Sequence, residues 1–500
     1  MITPSFEEFI RLSEKGNLIP IYREILADTE TPVSAFMKLD GPYHSFLLES
    51  VEGGETWGRY SFIGIGPSIV VRSRGTFVEI KEVGKTLFEG HTPDPLAKLK
   101  EFMGRYRAVE TQGLPRFYGG AVGYIGYDMV RFMERLPDTT RDDLGAYDMY
   151  FVIADTIVIF DNTKNTIAVA ATVFLDDDAD PADAYNRAAG RIDTIIHRLA
   201  KPLKRPVRME HPGDGISLTS NTKKEDFLNA VVRGKDYIER GDVIQVVLSQ
   251  RFEIRTNVDP FDLYRALRTI NPSPYLFYLK LDGLTMVGSS PEVLVRLDRG
   301  KVELRPIAGT RPRGKDLKDD ERLAQELLAD PKELAEHIML VDLGRNDLGR
   351  VSELGSVAVR ELMRIEKYSH VMHIVSDIEG TLMPGKDAFD ALRAAFPAGT
   401  LAGAPKIRAM EIIDELEPSR RGPYGGSVGY FGFSGNMDMC ITIRTMIIKN
   451  GTIHLQTGAG IVYDSDPERE HEETMHKAAG MIRAVEMATE NMELRRGATR

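Results

Sequence analysis

The chain reads as an α+β protein built on antiparallel sheets, and three observations say so. Between about residues 33 and 90, apolar runs such as Phe46-Leu47-Leu48 and Ser68-Ile69-Val70-Val71 are separated by Asp40-Gly41, Gly53-Gly54, Gly75 and Gly84, the pattern of hairpins in a sheet with one buried face. A glycine-studded strand, YGGxVGYxG, occurs twice, at 118–126 and 424–432. Helices recur with one start signal, Asp then Pro, at Asp259-Pro260, Asp330-Pro331 and Asp466-Pro467. Asp accepts the unpaired N–H groups of a first turn, and Pro fits the first helical position.

In chain order, an amphipathic helix from about Phe6 to Lys15 precedes the hairpins. Within them, Leu47-Leu48-Glu49-Ser50 ends an apolar strand on two polar groups, by themselves only the start of a turn. A helix from about Asp94 leads to the first glycine motif, then to strands near 150–160 and 166–174 and a helix from Pro181 to Ala200. The repeated motif marks either a duplicated unit or two strands packed back to back, the glycines admitting a neighbouring backbone. From Lys201 to Gly215 the sequence is rich in proline, glycine and charge, which separates an N-terminal region, 1–205, from a C-terminal region, 221–490, with 206–220 as the linker. The second region opens on a helix with Thr222 and Glu225 at capping-box spacing and Gly241 at its end, followed by a strand from Val243 to Ile254 that contains Gln245.

Five hundred residues allow two or three ordinary domains or one large interleaved one. Hydrophobic content of 42% and charged content of 28% suit a soluble globular protein. A net charge of −11 with dispersed basic residues argues against nucleic-acid binding, so an anionic ligand must be met by local donors or a cation. The single cysteine, Cys440, lies in an apolar strand; it excludes an intrachain disulfide, fits a reducing compartment and reads as a buried structural thiol. Without a basic-then-apolar leader or a bilayer-length apolar run, the expected location is cytoplasmic, with no membrane association.

Chemistry concentrates between Tyr424 and Glu473. Read as one strand, Cys440 to Met446 places Cys440, Thr442, Arg444 and Met446 on one face. Thr457-Gly458-Ala459-Gly460 reads as a loop whose N–H groups can form an anion nest. The helix after Pro467 carries Glu470 and Glu473, and the helix after Pro331 carries Glu333 and Glu336 at the same spacing, so each pair shares a helix face. These pairs are either solvated surface, with Glu333 in a capping role, or, if they face each other, a carboxylate cage that requires a divalent cation. All-oxygen ligation then favours magnesium over zinc. Glu292, in Ser289-Ser290-Pro291-Glu292, sits at a strand-to-strand junction, as a general acid or as an exposed turn residue. The segment PIAGTRPRG, 306–314, joins cations to a turn, either holding an anion or forming a basic surface loop. His370 and His373 lack the spacing and helix of a zinc-protease pair, which excludes zinc. No Walker-type loop or dinucleotide fingerprint is present.

Taken together, PIAGTRPRG at 306–314, EHIMLVDLGRND at 336–347, FPAGTLAGAPK at 396–406, Tyr424-Gly425-Gly426, Ile443-Arg444, and Gly458-Ala459-Gly460 followed by Glu470 and Glu473 resemble the chorismate-utilising enzymes. Within them the likeness is to anthranilate synthase component I, and it runs over nearly the whole sequence. The resemblance implies a large interleaved fold of two mainly antiparallel sheets packed face to face, with helices outside. It implies Mg2+ on Glu336 and Glu473, with Glu333 and Glu470 close by, gripping the ring carboxylate of chorismate. Tyr424, Arg444 and Gly458, Ala459 and Gly460 hold the second carboxylate, and Gly309 and Thr310 line the site. Glu292 is the implied general acid for the departing ring hydroxyl as ammonia adds at the neighbouring carbon, and His373 and Thr400 assist the later loss of pyruvate.

Two positions choose among relatives. Water-adding members carry a lysine base where this protein has Gln245, and aminodeoxychorismate synthases carry a covalent-capture lysine in place of Ala308, so the resemblance implies anthranilate formation. The alternatives are an aminodeoxychorismate synthase and a non-catalytic tryptophan-sensing homologue. Leu47-Leu48-Glu49-Ser50 and Asn271-Pro272-Ser273-Pro274-Tyr275 match the family's segments for feedback tryptophan, with Ser50, Pro274, Tyr275 and Leu276 as contacts. No glutamine-hydrolysing module is recognisable, so the resemblance implies ammonia from solution or from a separate glutamine amidotransferase subunit, in a heterotetramer of two subunits of each kind.

Overall fold

The computed structural model describes residues 1–50, 58–176, 178–203, 216–368 and 371–490. Two sheets of 12 strands each form its centre, and every pairing between their strands is antiparallel. The first runs Leu18–Leu26, Thr166–Phe174, Thr156–Asp161, Tyr60–Ile65, Ser45–Glu49, Tyr275–Leu281, Leu284–Ser290, Thr445–Lys449, Thr452–Ile461, Gln245–Arg255 and Thr219–Ser220, with Gly403–Ala404 added on Gln245–Arg255. The second runs Ile307–Pro312, Val371–Thr381, Lys301–Leu304, Val293–Asp298, Met437–Ile441, Ser427–Gly432, Gly120–Ile125, Met149–Ala154, Ile69–Arg74, Phe77–Glu82 and Lys85–His91, with Ala358–Lys367 added on Val371–Thr381. Each sequence half therefore supplies a block of strands to both sheets. Most of the expected linker, 206–215, and the turn marker Gly53-Gly54 lie outside the described residues; Thr219–Ser220, at the linker's end, is already an edge strand.

The halves meet at two seams. In the first sheet Ser45–Glu49 pairs with Tyr275–Leu281. In the second, the two glycine motifs lie side by side, Gly123 opposite Gly429, so they are hydrogen-bonded neighbours and not strands packed back to back. Their glycines are steric requirements: a Cβ on Gly123 would stand 1.9 Å from the Tyr150 carbonyl oxygen, and one on Gly429 2.0 Å from that of Asp438. Backbone atoms held in a ladder cannot move aside.

The sheets pack face to face through Phe46, Phe277, Met286 and Ile447 of the first and Val122, Tyr124, Val428, Tyr430 and Cys440 of the second. Strand alternation sends Phe277 and Leu279 into this layer, and Leu276 and Tyr278 outward beneath helices. Gly288, opposite Phe277, leaves room for its ring, which lies 2.1 Å from where a Cβ would be. Helices Phe6–Ser13, Pro32–Leu39, Pro181–Leu199, Pro260–Ile270 and Pro467–Thr489 cover the outer face of the first sheet. Helices Pro95–Met103, Pro331–Gly349 and Ala388–Ala395 cover that of the second. Cys440 is buried in the inter-sheet layer, and desolvation pushes its thiol far up.

Asp259, Asp330 and Asp466 cap their helices as expected, and Asp94 and Asp180 use the same device. The Lys224–Glu239 helix differs: its N-cap is Lys223, whose side chain offers no acceptor and makes no capping bond, and Thr222, one residue earlier, donates its hydroxyl to Asn221. Substituting Gly123→Ala should lower stability by at least about 2 kcal/mol, since overpacking against backbone cannot relax, measured by urea or thermal unfolding.

Candidate active site

The backbone passes between the sheets twice in adjacent places. Leu284–Ser290 belongs to the first sheet and Val293–Asp298 to the second, so Pro291 and Glu292 form the crossing. Met437–Ile441 belongs to the second sheet and Thr445–Lys449 to the first, so the stretch 440–446 is two strands and not one. Strand alternation is lost across the break, and Cys440 and Arg444 do not share a face as expected. The crossings are tied at both ends, by Ser289 N–H donating to Arg444 O at 3.1 Å and Ile441 N–H to Glu292 O at 3.0 Å. Arg444 takes a left-handed φ of 50°, uncommon for any residue but glycine.

Thr457 to Gly460 is not a loop. It lies within the Thr452–Ile461 strand, with Gly458 opposite Ser249 and Gly460 opposite Val247; the pairing with Thr445–Lys449 stops at Leu455, so this stretch is extended backbone with one edge left open on the cavity side rather than a loop. The glycines allow close approach instead: a Cβ on Gly458 would stand 2.9 Å from the Tyr424 hydroxyl, and one on Gly460 2.7 Å from Gln245 Nε2. Ala459 faces the other way, into a core with Val246 and Ile461, and does not line this wall.

Between crossing and strand lies a cavity of about 210 Å³ whose walls include Glu292, Thr310, His373, Thr400, Tyr424, Arg444, Gly458 and Gly460. The Thr400 hydroxyl, on the one-turn helix Gly399–Ala402, donates to Glu292 Oε2 at 3.0 Å. Burial pushes the Glu292 carboxyl up, while the Thr400 bond, Lys477 and Arg444 hold it back. Desolvation is thus what raises it, and the nearby charges are cations. His373 Nδ1 lies 2.9 Å from the Gly309 carbonyl and 3.1 Å from Thr310 Oγ1. A carbonyl only accepts, so Nδ1 carries the hydrogen and Nε2 the lone pair. Burial, with Arg444 nearby, lowers the imidazole's pKa and keeps it neutral. Burial likewise raises the Tyr424 phenol, leaving it a neutral donor. Arg444 Nη1 donates to Lys477 O at 2.9 Å.

At the cavity edge, Gln245 Nε2 donates to Glu336 Oε1 at 3.2 Å. Burial pushes Glu336 up, Gln245 draws it back, and the like charges of Glu333 and Glu473 add to the rise. Glu470 is raised by burial and by Glu473. The two acidic helix starts are thus within electrostatic reach of each other, and their donors are all oxygen, which suits a hard divalent cation. As these groups stand, Arg311 holds Glu333 at 3.0 Å and Lys477 holds Glu473 at 2.6 Å. Among the described residues no three acidic, histidine or cysteine groups are gathered closely enough to grip an ion. The segment 306–314 is largely an edge strand, Ile307–Pro312, bulged at Gly309. Its cations are paired internally, Arg311 with Asp330 and Glu333 and Arg313 with Asp320, so it is not an open basic loop, and its Ile307, Ala308 and Thr310 face the cavity. His370 lies outside the described residues.

The model of the chorismate binding enzyme family matches residues 44–483. The chain belongs to the chorismate-binding enzymes. It is 51% identical to "Anthranilate synthase component 1" of Aquifex aeolicus over 491 residues, 98% of this chain and 99% of that one. The crystal structure of anthranilate synthase component I from Streptococcus pneumoniae superposes with a TM-score of 0.76 at 36% identity, covering 92% of this chain and 99% of the other. MenF, the menaquinone-specific isochorismate synthase of Escherichia coli, shares the fold with a TM-score of 0.70 at 21% identity, over 97% and 99% of the two proteins. Within this family fold, the ends of two motif segments are structural: Lys406 pairs with Asp347 at 2.9 Å.

The segments assigned to tryptophan also converge, at the first-sheet seam. Leu276 stands opposite Glu49 on one side and Ser289 on the other, which puts Ser50 beside Pro274 and Tyr275. The Ser50 hydroxyl is buried and makes no hydrogen bond among the described residues. Glu49 accepts from Arg268 at 2.9 and 3.1 Å, and the Tyr275 hydroxyl donates to Asp438 at 2.8 Å.

Sequence reasoning missed Lys477, whose Nζ donates to Gly458 O at 2.9 Å inside the cavity. Its signal was available: it follows Glu473 by four residues and so shares that helix face. Gln456, also a wall residue, carried no signal. Because Glu292 has a raised pKa in the native state, the unfolded protein gives up this proton more readily, and native stability is lost as pH rises through the raised value. Glu292→Gln should therefore raise the melting temperature at pH 8, with the gain shrinking towards pH 4, checked by calorimetry across pH.

Proposed function

We propose that this enzyme converts chorismate and ammonia into anthranilate and pyruvate, with Mg2+ and under tryptophan feedback. In the cell it would serve tryptophan biosynthesis in the cytoplasm, a separate glutamine amidotransferase subunit supplying the ammonia. One observation carries the reading: Glu292, Thr310, His373, Thr400, Tyr424, Arg444, Gly458 and Gly460, which the anthranilate synthase resemblance selects from distant segments, line a single cavity, in a protein matching component 1 relatives over 98% of its length. Ala308 also lines it and offers no amine for covalent capture. Gln245, an amide already tied to Glu336, offers no base to activate water.

The chemistry follows from the groups present. Ammonia forms a C–N bond at the ring carbon between those bearing the carboxylate and the enolpyruvyl ether, both ring double bonds shift, and the C–O bond breaks at the hydroxyl-bearing carbon on the far side of the ether-bearing one, Glu292 supplying the proton with which that oxygen leaves as water. A carboxyl raised by burial keeps such a proton nearer neutral pH. His373 Nε2, neutral and without a hydrogen, can then take the ring proton while the ether bond between ring and enolpyruvyl group breaks. The enolpyruvyl group departs and is protonated to pyruvate, and the ring becomes aromatic. Arg444 and the Tyr424 hydroxyl orient the substrate's anionic enolpyruvyl arm, and Thr400 holds Glu292 in place. Glu336 and Glu473, with Glu333 and Glu470, would hold Mg2+, which supplies positive charge for a substrate carboxylate in an otherwise acidic protein.

The purified protein given chorismate, Mg2+ and ammonium salt should produce fluorescent anthranilate and pyruvate; an aminated product that keeps its pyruvyl arm would identify an aminodeoxychorismate synthase instead. Removing Mg2+ with EDTA should stop turnover, and re-addition should restore it. Ser50→Phe should raise the tryptophan concentration for half inhibition roughly tenfold or more, because the ring fills the space beside Tyr275, with uninhibited turnover little changed.

A further inference from the structure

Beneath the cavity lies an ion pair that the chemistry above does not use. Arg421 and Glu417 are 1% and 4% exposed. The guanidinium donates to both Glu417 oxygens, at 2.9 and 2.6 Å, and also to Leu401 O at 2.6 Å and Val247 O at 2.8 Å. It lies 4.7 Å from the ring centre of Tyr127 and 5.7 Å from that of Tyr424. Glu417 Oε1 accepts in addition from the Ser249 amide and hydroxyl, each at 2.8 Å, and the Ser249 hydroxyl takes Gln456 Nε2 at 2.8 Å.

Stability alone is a poor reason for such a pair. Desolvating two charges costs about as much as their attraction returns, and apolar residues of the same volume often do as well. What distinguishes this pair is its partners. Val247, Leu401, Tyr424 and Gln456 all line the cavity, and Leu401 follows Thr400, the partner of Glu292. Guanidinium is a planar fork of fixed donors, so carbonyls from two elements and the face of Tyr424 are set relative to one another by one rigid group. A lysine offers a point charge and cannot do this.

We propose that Arg421, held by Glu417, is a positioning residue that fixes Tyr424 and the Leu401 turn against the glycine strand. It acts on turnover through Tyr424, not by touching substrate. The assignment of turnover rests on the cavity being the chorismate site. The test is a double-mutant cycle. Arg421→Lys should lower kcat/KM for chorismate about tenfold in the wild-type background but less than about threefold when Tyr424→Phe is present, a coupling within the range of contacting residues. The loss of melting temperature should be the same in both backgrounds. Equal fold-losses of kcat/KM in the two backgrounds would leave Arg421 a stabilising residue only. If Arg421→Lys does not fold, Ser249→Ala, which removes one hydroxyl from the same network, carries the cycle with a smaller effect of the same sign. Fluorotyrosine NMR separates this proposal from the reading of the cavity. The Tyr424 resonance should move in the folded variant whatever the substrate; an unmoved resonance overturns the positioning role, whereas chorismate left unconsumed by the wild-type enzyme overturns the substrate.

Discussion

A pair of antiparallel strands that changes sheets in step is the constraint on which this molecule depends. At Pro291-Glu292 and at Thr442-Ile443-Arg444 the backbone leaves one ladder and enters the other, and its hydrogen bonds lash the crossings together at both ends. A strand in a ladder alternates its side groups and satisfies its own polar atoms. Where the ladder stops, a residue is free to aim into the gap between the sheets. Glu292 and Arg444 occupy those positions, and the left-handed backbone at Arg444 is the local strain that such aiming brings.

Electrostatics at the site follow from what surrounds each group. The protein is acidic overall, yet the cavity sets Arg444 and Lys477 against Glu292, with the carboxylate helices at its rim. Desolvation is strong enough to raise Glu292 against two cations, and it keeps His373 neutral. Burial thus divides the work between a group inclined to keep its proton and one inclined to accept it. At the rim, Glu336 and Glu470 are raised partly by like charge, so a cation there would meet groups that already repel one another.

The interleaving of the halves gives the seams a mechanical meaning. The first-sheet seam joins the Ser50 and Leu276 segments, and the strand paired with Leu276 ends near Ser289, whose amide bonds Arg444. Packing at the seam and backbone geometry at the site are thereby joined through one hairpin. On the other side, Tyr127 of the N-terminal half packs on the guanidinium beneath Tyr424, so the N-terminal half backs a cavity that the C-terminal half lines.

Local patterns in the sequence carried the sheet class, the Asp-Pro helix starts, the buried thiol and the glutamate pair on each of two helix starts, because periodicity and capping act within a few residues. The motif residues carried most of the cavity wall. Lys477 was legible from its helix spacing and passed over, while Gln456 and Arg421 had no local mark, since their roles come from partners far away in the sequence. The stretch 440–446 and the segment 457–460 show the limit plainly. Apolar alternation is the same for one strand as for two strands split between sheets, and a Gly-Ala-Gly triplet suits a nest as well as a close approach. Only long-range pairing, which couples each residue to a partner chosen by the whole fold, decided that Arg444 ends a crossing, that the glycines come close beneath the Tyr424 hydroxyl, and that two distant halves share both sheets.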